Sequence, residues 1–140
     1  MTNVDLVELY WNVCWNERRT DRLGEIFHDP YTQGQIEGPL TRLVETIEES
    51  VASSGDCSVE IRSTHGQDDF VITRTWMRGT HTGPLFDLSA TGKTFRVPML
   101  DAFFFRDGKV WLYLHLADHL PILKALGAEV RVGEQVATLE

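Results

Sequence analysis

The chain has 140 residues, of which 42% are hydrophobic and 24% charged, and this balance is typical of a single soluble domain with one core and no linker. A formal net charge of −8, from 21 acidic and 13 basic residues, leaves no basic surface for a phosphate backbone, so nucleic acid is not an expected partner. The N-terminal sequence has early acidic residues and no long apolar run, which indicates neither a signal peptide nor a membrane span and predicts a cytoplasmic protein. Cys14 and Cys57 show no C-x-x-C spacing and are expected to be reduced thiols.

Three helices are predicted in the first part of the chain. Over residues 4–18, apolar side chains recur at three- and four-residue steps, which places one stripe, with Trp11 and Trp15 beside it, on a helix that packs against a sheet. A short capped helix is expected over 20–27, after which the segment HDPYTQGQIEGP interrupts the pattern. A third helix is expected over about 39–52, where a proline opens it and SSGD ends it.

Strands are predicted from residue 57 onward, because the hydrophobic period changes to two. The first strand runs from residue 57 to the turn sequence HGQDD, and the others are expected at 70–80, 93–106 and about 109–117. The dipeptide Asp107-Gly108 between two apolar runs indicates a tight hairpin.

A short helix is predicted after the last strand, opened by Pro121 and closed by Gly127. Residues 128–140 form a weakly patterned C-terminal tail, which is compatible with an extra strand or a dimer arm. Helices followed by long antiparallel strands are typical of the α+β class, with the helices on one face of a curved sheet. Such a sheet leaves a cone between itself and the helices, where a small-molecule ligand is expected to bind.

Four segments carry a resemblance to a known family: WNERRTDRLGEIFHDPY, GTHTGPLFDLSATGK, PMLDAFFFRDGKV and ADHLPILKALG. In this order they resemble the SnoaL-like polyketide cyclase family of the NTF2-like superfamily, over about residues 6–127. The resemblance implies a cone-shaped α+β barrel with a strongly curved, mostly antiparallel sheet, and a homodimer. It also implies a reaction without metal or cofactor, an intramolecular aldol closure in which a carboxylate removes a proton from carbon flanked by carbonyl groups.

Asp118, in the sequence LHLADHL, is the first candidate catalytic residue. It matches the position at which the characterised cyclases of that family carry their acid/base aspartate. The residues alone also allow Asp118 to cap the helix opened at Pro121, where it would be solvated and a poor base. Both roles stay open at this point.

Asp101 is the second candidate catalytic residue. Strand alternation places it on the same face as Phe103 and Phe105. The family resemblance implies that this face lines the pocket, with Phe103 as a substrate-binding residue, because the family commonly has an arginine at the position of Phe104 on the other face. A carboxylate on an aromatic face is costly unless it is neutral or paired, so Asp101 is either functional or satisfied by a partner. If Asp101 and Asp118 share one site, their mutual repulsion would keep one of them protonated.

The last strand separates its side chains into two groups. One face carries Leu112, Leu114 and Leu116, and the other carries Trp111, Tyr113 and His115. The aliphatic face either lines the cavity, which would fit an apolar ligand, or faces outward as a dimer surface. His115 would be a pocket residue only in the second case.

Four further residues are candidate substrate-binding groups. Gln33 stands where many members of the family place His or Asn, and its amide can donate to a carbonyl or enolate oxygen. Tyr31 and Trp15 either line the pocket or pack in the core. His81 lies in GTHTG, whose glycines permit the backbone to turn, and is expected half-exposed at a loop mouth, bound to a ligand carbonyl or a backbone group.

The predicted function is a polyketide cyclase or isomerase type of reaction, with carboxylate acid/base catalysis on an apolar polyketide-like molecule. The alternatives are a non-catalytic small-molecule-binding protein and an epoxide hydrolase or isomerase of the same superfamily. A hydrolase would need an arginine beside the aspartates, for which Arg74 is the nearest candidate. His115, Asp118 and His119 form the pattern H-x-x-D-H, but it lies across a strand end, where histidines need not converge, so no metal is predicted.

Overall fold

The computed structural model describes residues 1–133 and 135–138, which form an α+β domain as the sequence predicts. Its helices are α1 (Asn3–Leu9), continued by a π-helical segment (Tyr10–Trp15), then a 3₁₀ helix (Thr20–Glu25), α2 (Thr41–Ser53) and α3 (Leu120–Ala125). Its strands are β1 (Phe27–Gln33), β2 (Ile36–Gly38), β3 (Ser58–Gln67), β4 (Phe70–Thr80), β5 (Thr94–Arg106), β6 (Lys109–Ala117), β7 (Glu129–Val132) and β8 (Gln135–Thr138). Among the described helices, none combines the length and the apolar run that a bilayer crossing requires.

The main sheet has six strands in the order β2-β1-β6-β5-β4-β3. β1 runs parallel to β6, and the other neighbouring pairs are antiparallel, so the sheet is mixed but mostly antiparallel as expected. Register shifts in β3 and between β5 and β6 are bulges, which bend a sheet. β2 and β3 lie at opposite ends of this order and do not pair, so the cone is open rather than a closed barrel. β7 and β8 form a separate two-stranded ladder.

β1 and β2 are absent from the sequence-based prediction, which treated their segment as an interruption. The polar composition of β1 hides its alternation, because only Phe27 and Tyr31 are fully buried there. Pro30 lies within the register shift of β1 against β6, a position where a strand tolerates a residue without an N–H. The parallel pairing with β6 also joins segments far apart in sequence, which no local pattern reveals.

The hydrophobic core lies between α1 with its π-helical extension and the concave face of the sheet. An aromatic cluster forms its centre, in which Tyr10 meets Trp11, Phe27, Phe103 and Tyr113 at centroid distances of 4.6, 5.2, 5.6 and 6.0 Å. Burying each such ring contributes roughly 1.5–3 kcal/mol, and edge-to-face pairs add about 0.5–1.5 kcal/mol. The N-terminal helix therefore packs as the predicted apolar stripe requires.

Two predicted turns are confirmed by their backbone angles. Asp107 and Gly108 both have positive φ, 53° and 79°, as a two-residue hairpin loop between right-twisted strands demands. Gly127, with φ of 72°, follows the last turn of α3 and ends that helix as predicted.

Asn16 joins the end of the N-terminal helical region to β3. Its side-chain amide donates to the carbonyl oxygen of Val59 at 2.8 Å, and its side-chain oxygen accepts from the Val59 N–H at 2.7 Å. Arg18 adds a bond from its guanidinium to the carbonyl oxygen of Cys57 at 2.7 Å. These bonds hold the helical layer against the first long strand.

The motif GTHTG fits the end of β4 tightly against the C-terminus of α2. A Cβ atom on Gly79 would lie 2.1 Å from the Ser54 Oγ, and one on Gly83 would lie 2.0 Å from the backbone oxygen of Ala52. Both glycines are therefore required by close approach, and the motif is a packing feature of the fold.

We expect Gly83→Ala to lower the free energy of unfolding by about 1–3 kcal/mol, because the added methyl group must displace the backbone of α2. Gly24→Ala is the matched control, since an added Cβ there meets nothing within 4 Å and Gly24 is exposed. Urea unfolding of both variants measures the difference. Equal stability of the two variants would contradict the tight fit.

Candidate active site

A cavity of about 220 Å³ lies between the N-terminal helical region, α2 and the concave face of β5 and β6. It exists there because the inward side chains of β6, at positions 113, 115 and 117, face helices that do not fill the cone completely. Aromatic and aliphatic groups form most of its wall. The polar side chains on the wall are Gln33, Thr46, Ser50, Tyr113, His115 and His119.

Behind the wall of this cavity lies a buried carboxylate that is paired with a histidine of the wall. Asp101 is 1% exposed, and its Oδ1 accepts hydrogen bonds from the Tyr113 hydroxyl at 2.6 Å and from His115 Nδ1 at 2.5 Å. The pairing follows from register, since Asp101 on β5 lies directly opposite His115 on β6. An ionised Asp101 holds the His115 proton on Nδ1 and leaves Nε2 as the ring nitrogen with a free lone pair.

The carboxylate depends on this pairing for its charge. Asp101 Oδ2 is buried and has no hydrogen-bond partner among the described residues, so Tyr113 and His115 supply the compensation through Oδ1 alone. A buried charge is costly unless it is paired, and protonation of His115 would complete an ion pair. His115, whose side chain is 33% exposed, is thus the partner that links this buried carboxylate to the cavity.

Two tyrosines beside the carboxylate are held in their protonated form. Burial, together with the charge of Asp101 and the hydrogen bond to it, raises the pKa of Tyr113 well above its ordinary value. Burial also raises the pKa of Tyr10, which lies against the Trp15 and Tyr113 side chains. Both hydroxyl groups therefore act as hydrogen-bond donors rather than as bases at neutral pH.

His119 is a second histidine of the cavity wall, and the sequence analysis considered it only as a metal ligand. Burial, and then the positive charge of His115, lower the pKa of His119 below its ordinary value of 6.5, while the Asp118 carboxylate acts in the opposite direction. His119 is therefore neutral at neutral pH. Its position four residues after His115, at the point where β6 passes into α3, was the signal available in the sequence.

Asp118 lies outside the cavity wall, at the surface. Its carboxylate accepts from the backbone N–H of Leu120 at 3.1 Å, and its own N–H donates to the Pro98 oxygen at 2.9 Å. These are the contacts of a residue that begins α3. The structure does not bring Asp118 and Asp101 into one site, and the catalytic role expected of Asp118 stays a prediction.

The other predicted binding residues have different positions. Gln33 and Trp15 line the cavity, and the Tyr31 hydroxyl donates to Gln33 Oε1 at 2.9 Å, which leaves the Gln33 NH₂ as a donor. Tyr31 itself is a core residue, 2% exposed. Phe103 is fully buried and stacks under Tyr113 at 4.9 Å, so it supports the wall without forming it.

His81 and Arg74 do not reach the cavity. The expected half-exposure of His81 is wrong, since its side chain is fully buried and its Nδ1 lies 3.0 Å from the Thr91 hydroxyl. Arg74 is exposed and alternates with the buried Thr73 and Thr75, which places it on the convex face. Within residues 1–133 and 135–138, no three His, Cys, Asp or Glu side chains converge as metal ligands would.

The last strand answers one question that the sequence left open. Leu114 and Leu116 are exposed, 41% and 68%, and Leu100 beside them on β5 is 49% exposed. The aliphatic face of β6 therefore faces outward, and Tyr113 and His115 face the cavity.

Comparison with known proteins places this site in a wider context. A family model described as SnoaL-like polyketide cyclase matches residues 5–126. A search of curated proteins returns no significant match.

Solved structures with low sequence identity share the fold. TsrD from Streptomyces laurentii is 23% identical, with a TM-score of 0.81 over 89% of this chain and 93% of that one. AclR from Streptomyces galilaeus, provisionally assigned as a hydroxylase, is 21% identical, with a TM-score of 0.77 over 89% of this chain and 80% of that one. IdmH from Streptomyces antibioticus, provisionally assigned as a polyketide cyclase, is 19% identical, with a TM-score of 0.78 over 90% of this chain and 98% of that one.

The neighbours of His119 predict how its pKa responds to substitution. We expect His115→Gln to raise the pKa of His119, because a nearby positive charge is removed, and Asp118→Asn to lower it, because a nearby negative charge is removed. NMR titration of the imidazole signals measures both changes. A wild-type His119 that titrates above 6.5 would contradict the lowered pKa that partial burial gives it.

Proposed function

The chain belongs to the SnoaL-like polyketide cyclase family, and on that premise we propose that it catalyses an aldol-type ring closure of an apolar, polyketide-like small molecule. In this proposal His115 is the general base and Asp101 is its positioning residue. The single observation that carries the proposal is the buried Asp101 carboxylate bonded to Nδ1 of a histidine on the wall of a largely apolar cavity. A base fixed in one tautomer beside an enclosed site meets the geometric requirement for proton transfer.

The proposed reaction begins with proton removal from a carbon flanked by two carbonyl groups. His115 Nε2 takes the proton, and the Asp101 carboxylate stabilises the imidazolium that forms. The resulting enolate carbon attacks a second carbonyl of the same molecule, which forms a carbon–carbon bond and an alkoxide. The alkoxide takes a proton back from the imidazolium, so the base returns to its starting state.

Donors and shape supply the remaining requirements of this reaction. The Gln33 NH₂ is available to the enolate oxygen, because Tyr31 already occupies the Gln33 oxygen. A volume of about 220 Å³ is below the roughly 300–1,000 Å³ of typical drug-sized sites, which favours a compact substrate folded for ring closure. The aromatic wall favours apolar rather than polyhydroxylated molecules.

Asp118 provides the comparison that tests the assignment of the base. We expect Asp101→Asn and His115→Gln to lower turnover by roughly 10²–10⁴-fold, because each removes the oriented base. Asp118→Asn should stay within a few-fold of wild type, since its carboxylate accepts from the N–H that begins α3. Turnover of nonane-2,4,8-trione, whose carbon 3 lies between two carbonyl groups and can close on carbon 8 to a six-membered ring, is followed by liquid chromatography.

Far-ultraviolet circular dichroism of each variant controls for folding. Loss of turnover in Asp118→Asn alone would transfer the base to Asp118 and overturn the role of His115. A wild-type protein that binds diketones tightly without turning any over would instead be a binding protein of this fold.

We also propose that the protein forms a homodimer through the convex face of the sheet. The central strands present a continuous set of outward positions there: Phe70, Ile72, Arg74, Leu100, Ala102, Phe104, Leu112, Leu114 and Leu116. These positions carry no acidic side chain in a chain of net charge −8, so two copies can meet there without mutual repulsion. A shared apolar patch of this kind suits a two-fold interface, in which the same surface serves both subunits.

Leu116→Glu is expected to convert the dimer to monomer, because it places a charge within the apolar patch. Ile36→Glu is the matched control, since Ile36 on β2 has the same exposure of 68% and lies outside that patch. Light scattering after gel filtration reports the mass. A monomeric wild type, or dissociation by both variants alike, would contradict an interface at this face.

A further inference from the structure

A second, smaller chamber lies beside the main cavity, at the C-terminal end of α2. Its volume is about 100 Å³, and its apolar walls come from β5, α3, the strand-connecting loop after β4 and the start of β3. The side chains that form these walls are Cys57, Leu85, Phe86, Phe95, Val97 and Ile122. Burial raises the pKa of the Cys57 thiol, so this sulfur stays neutral and acts as an apolar wall group.

The hydroxyl groups on the chamber wall are already satisfied by the protein. Ser50 Oγ donates to the Thr46 oxygen at 2.9 Å, Ser53 Oγ to the Pro84 oxygen at 2.8 Å and Ser54 Oγ to Asp56 Oδ1 at 2.9 Å. They therefore have no need of a ligand donor or acceptor. Away from His119, a polar ligand group placed here would lose its hydration without replacement, whereas an apolar group would not.

The chamber adjoins the proposed catalytic cavity. Both are lined by Ser50, Met77, Val97 and His119, and His115 lies in the cavity beyond this shared wall. On its other side the chamber meets a surface depression that Leu85, Phe86 and His119 also line. A ligand with its reactive carbonyls beside His115 can therefore extend a chain through the chamber towards solvent.

We propose that the chamber is a specificity subsite that takes an aliphatic substituent of the substrate, about three to five carbon atoms long. The length follows from volume, since a water molecule occupies about 30 Å³ of liquid and a methylene group is of similar size. The assignment rests on the proposed function for the position of the reactive end. It adds to that function a preference for alkyl-bearing 1,3-dicarbonyl compounds over their unsubstituted parents.

A homologous series of alkane-2,4-diones, from pentane-2,4-dione to decane-2,4-dione, tests this subsite by binding alone. Trp11 and Trp15 line the main cavity, so quenching of tryptophan fluorescence reports occupancy. We expect affinity to rise about fourfold for each added methylene until the chamber is full, and then to level off as the chain reaches the open depression. Affinity that does not depend on chain length would overturn the proposal.

Variants that fill the chamber test whether the dependence of affinity on chain length arises there. Leu85→Phe and Cys57→Leu should each move the levelling point to shorter chains, by about one or two carbons, because they take up part of the volume. Leu88→Phe is the matched control, since Leu88 belongs to the same loop and bonds to Leu85 through the backbone but does not line the chamber. Two filling variants at independent positions keep the test valid if one of them fails to fold.

An equal shift in the Leu88 control would overturn the assignment of the chain to this chamber. Because the series measures binding without turnover, its outcome is independent of the aldol reaction. If affinity depends on chain length but the protein has no cyclase activity, the subsite is supported and the proposed reaction is contradicted. If the protein has cyclase activity but affinity does not depend on chain length, the reaction is supported and the subsite is contradicted.

Discussion

The candidate site depends on one physical constraint: the charge of a carboxylate that is buried among aromatic rings must be compensated by hydrogen bonds. Asp101 is 1% exposed and obtains its hydrogen bonds through a single oxygen, from Tyr113 and His115. The side chains next to this carboxylate meet that requirement together. The hydroxyl of Tyr113 stays protonated, Phe103 supports the tyrosine ring from below, and the histidine is held in one tautomer with its free nitrogen away from the carboxylate.

This constraint explains why the role of the carboxylate differs from the expectation raised by the sequence. Strand alternation correctly placed Asp101 on the inward face, because a period of two needs only local information. The pairing of Asp101 with His115 depends on the β5–β6 register, which the Asp107-Gly108 turn and the bulge before Phe105 determine together. The turn was visible in the sequence, but the bulge was not. In the proposed reaction, a buried aspartate that does not line the cavity acts through the histidine opposite.

The other sequence-based predictions divide in the same way: those that depend on local patterns are close to the structure, and those that depend on distant contacts are not. The long strands, α2, the hairpin and the end of α3 follow from periodicity and turn residues, and they were predicted close to their observed bounds. β1 escaped detection because its partner is more than seventy residues away and few of its side chains are buried. His81 was misplaced because its burial arises from Thr91, across a loop whose path the sequence does not specify. Family resemblance supplied the fold, whereas the catalytic role that it implied for Asp118 stays a prediction.

The bonds between Asn16 and Val59 have a consequence for how the protein behaves at high concentration. β3 is the last strand of the main sheet, and a terminal strand offers unpaired N–H and C=O groups to which another chain can add. The Asn16 side chain occupies one donor and one acceptor of that strand in the manner of a neighbouring backbone. A single amide from the helical layer thereby opposes strand addition, and with it fibrillar aggregation, while leaving the convex face free for ordered assembly.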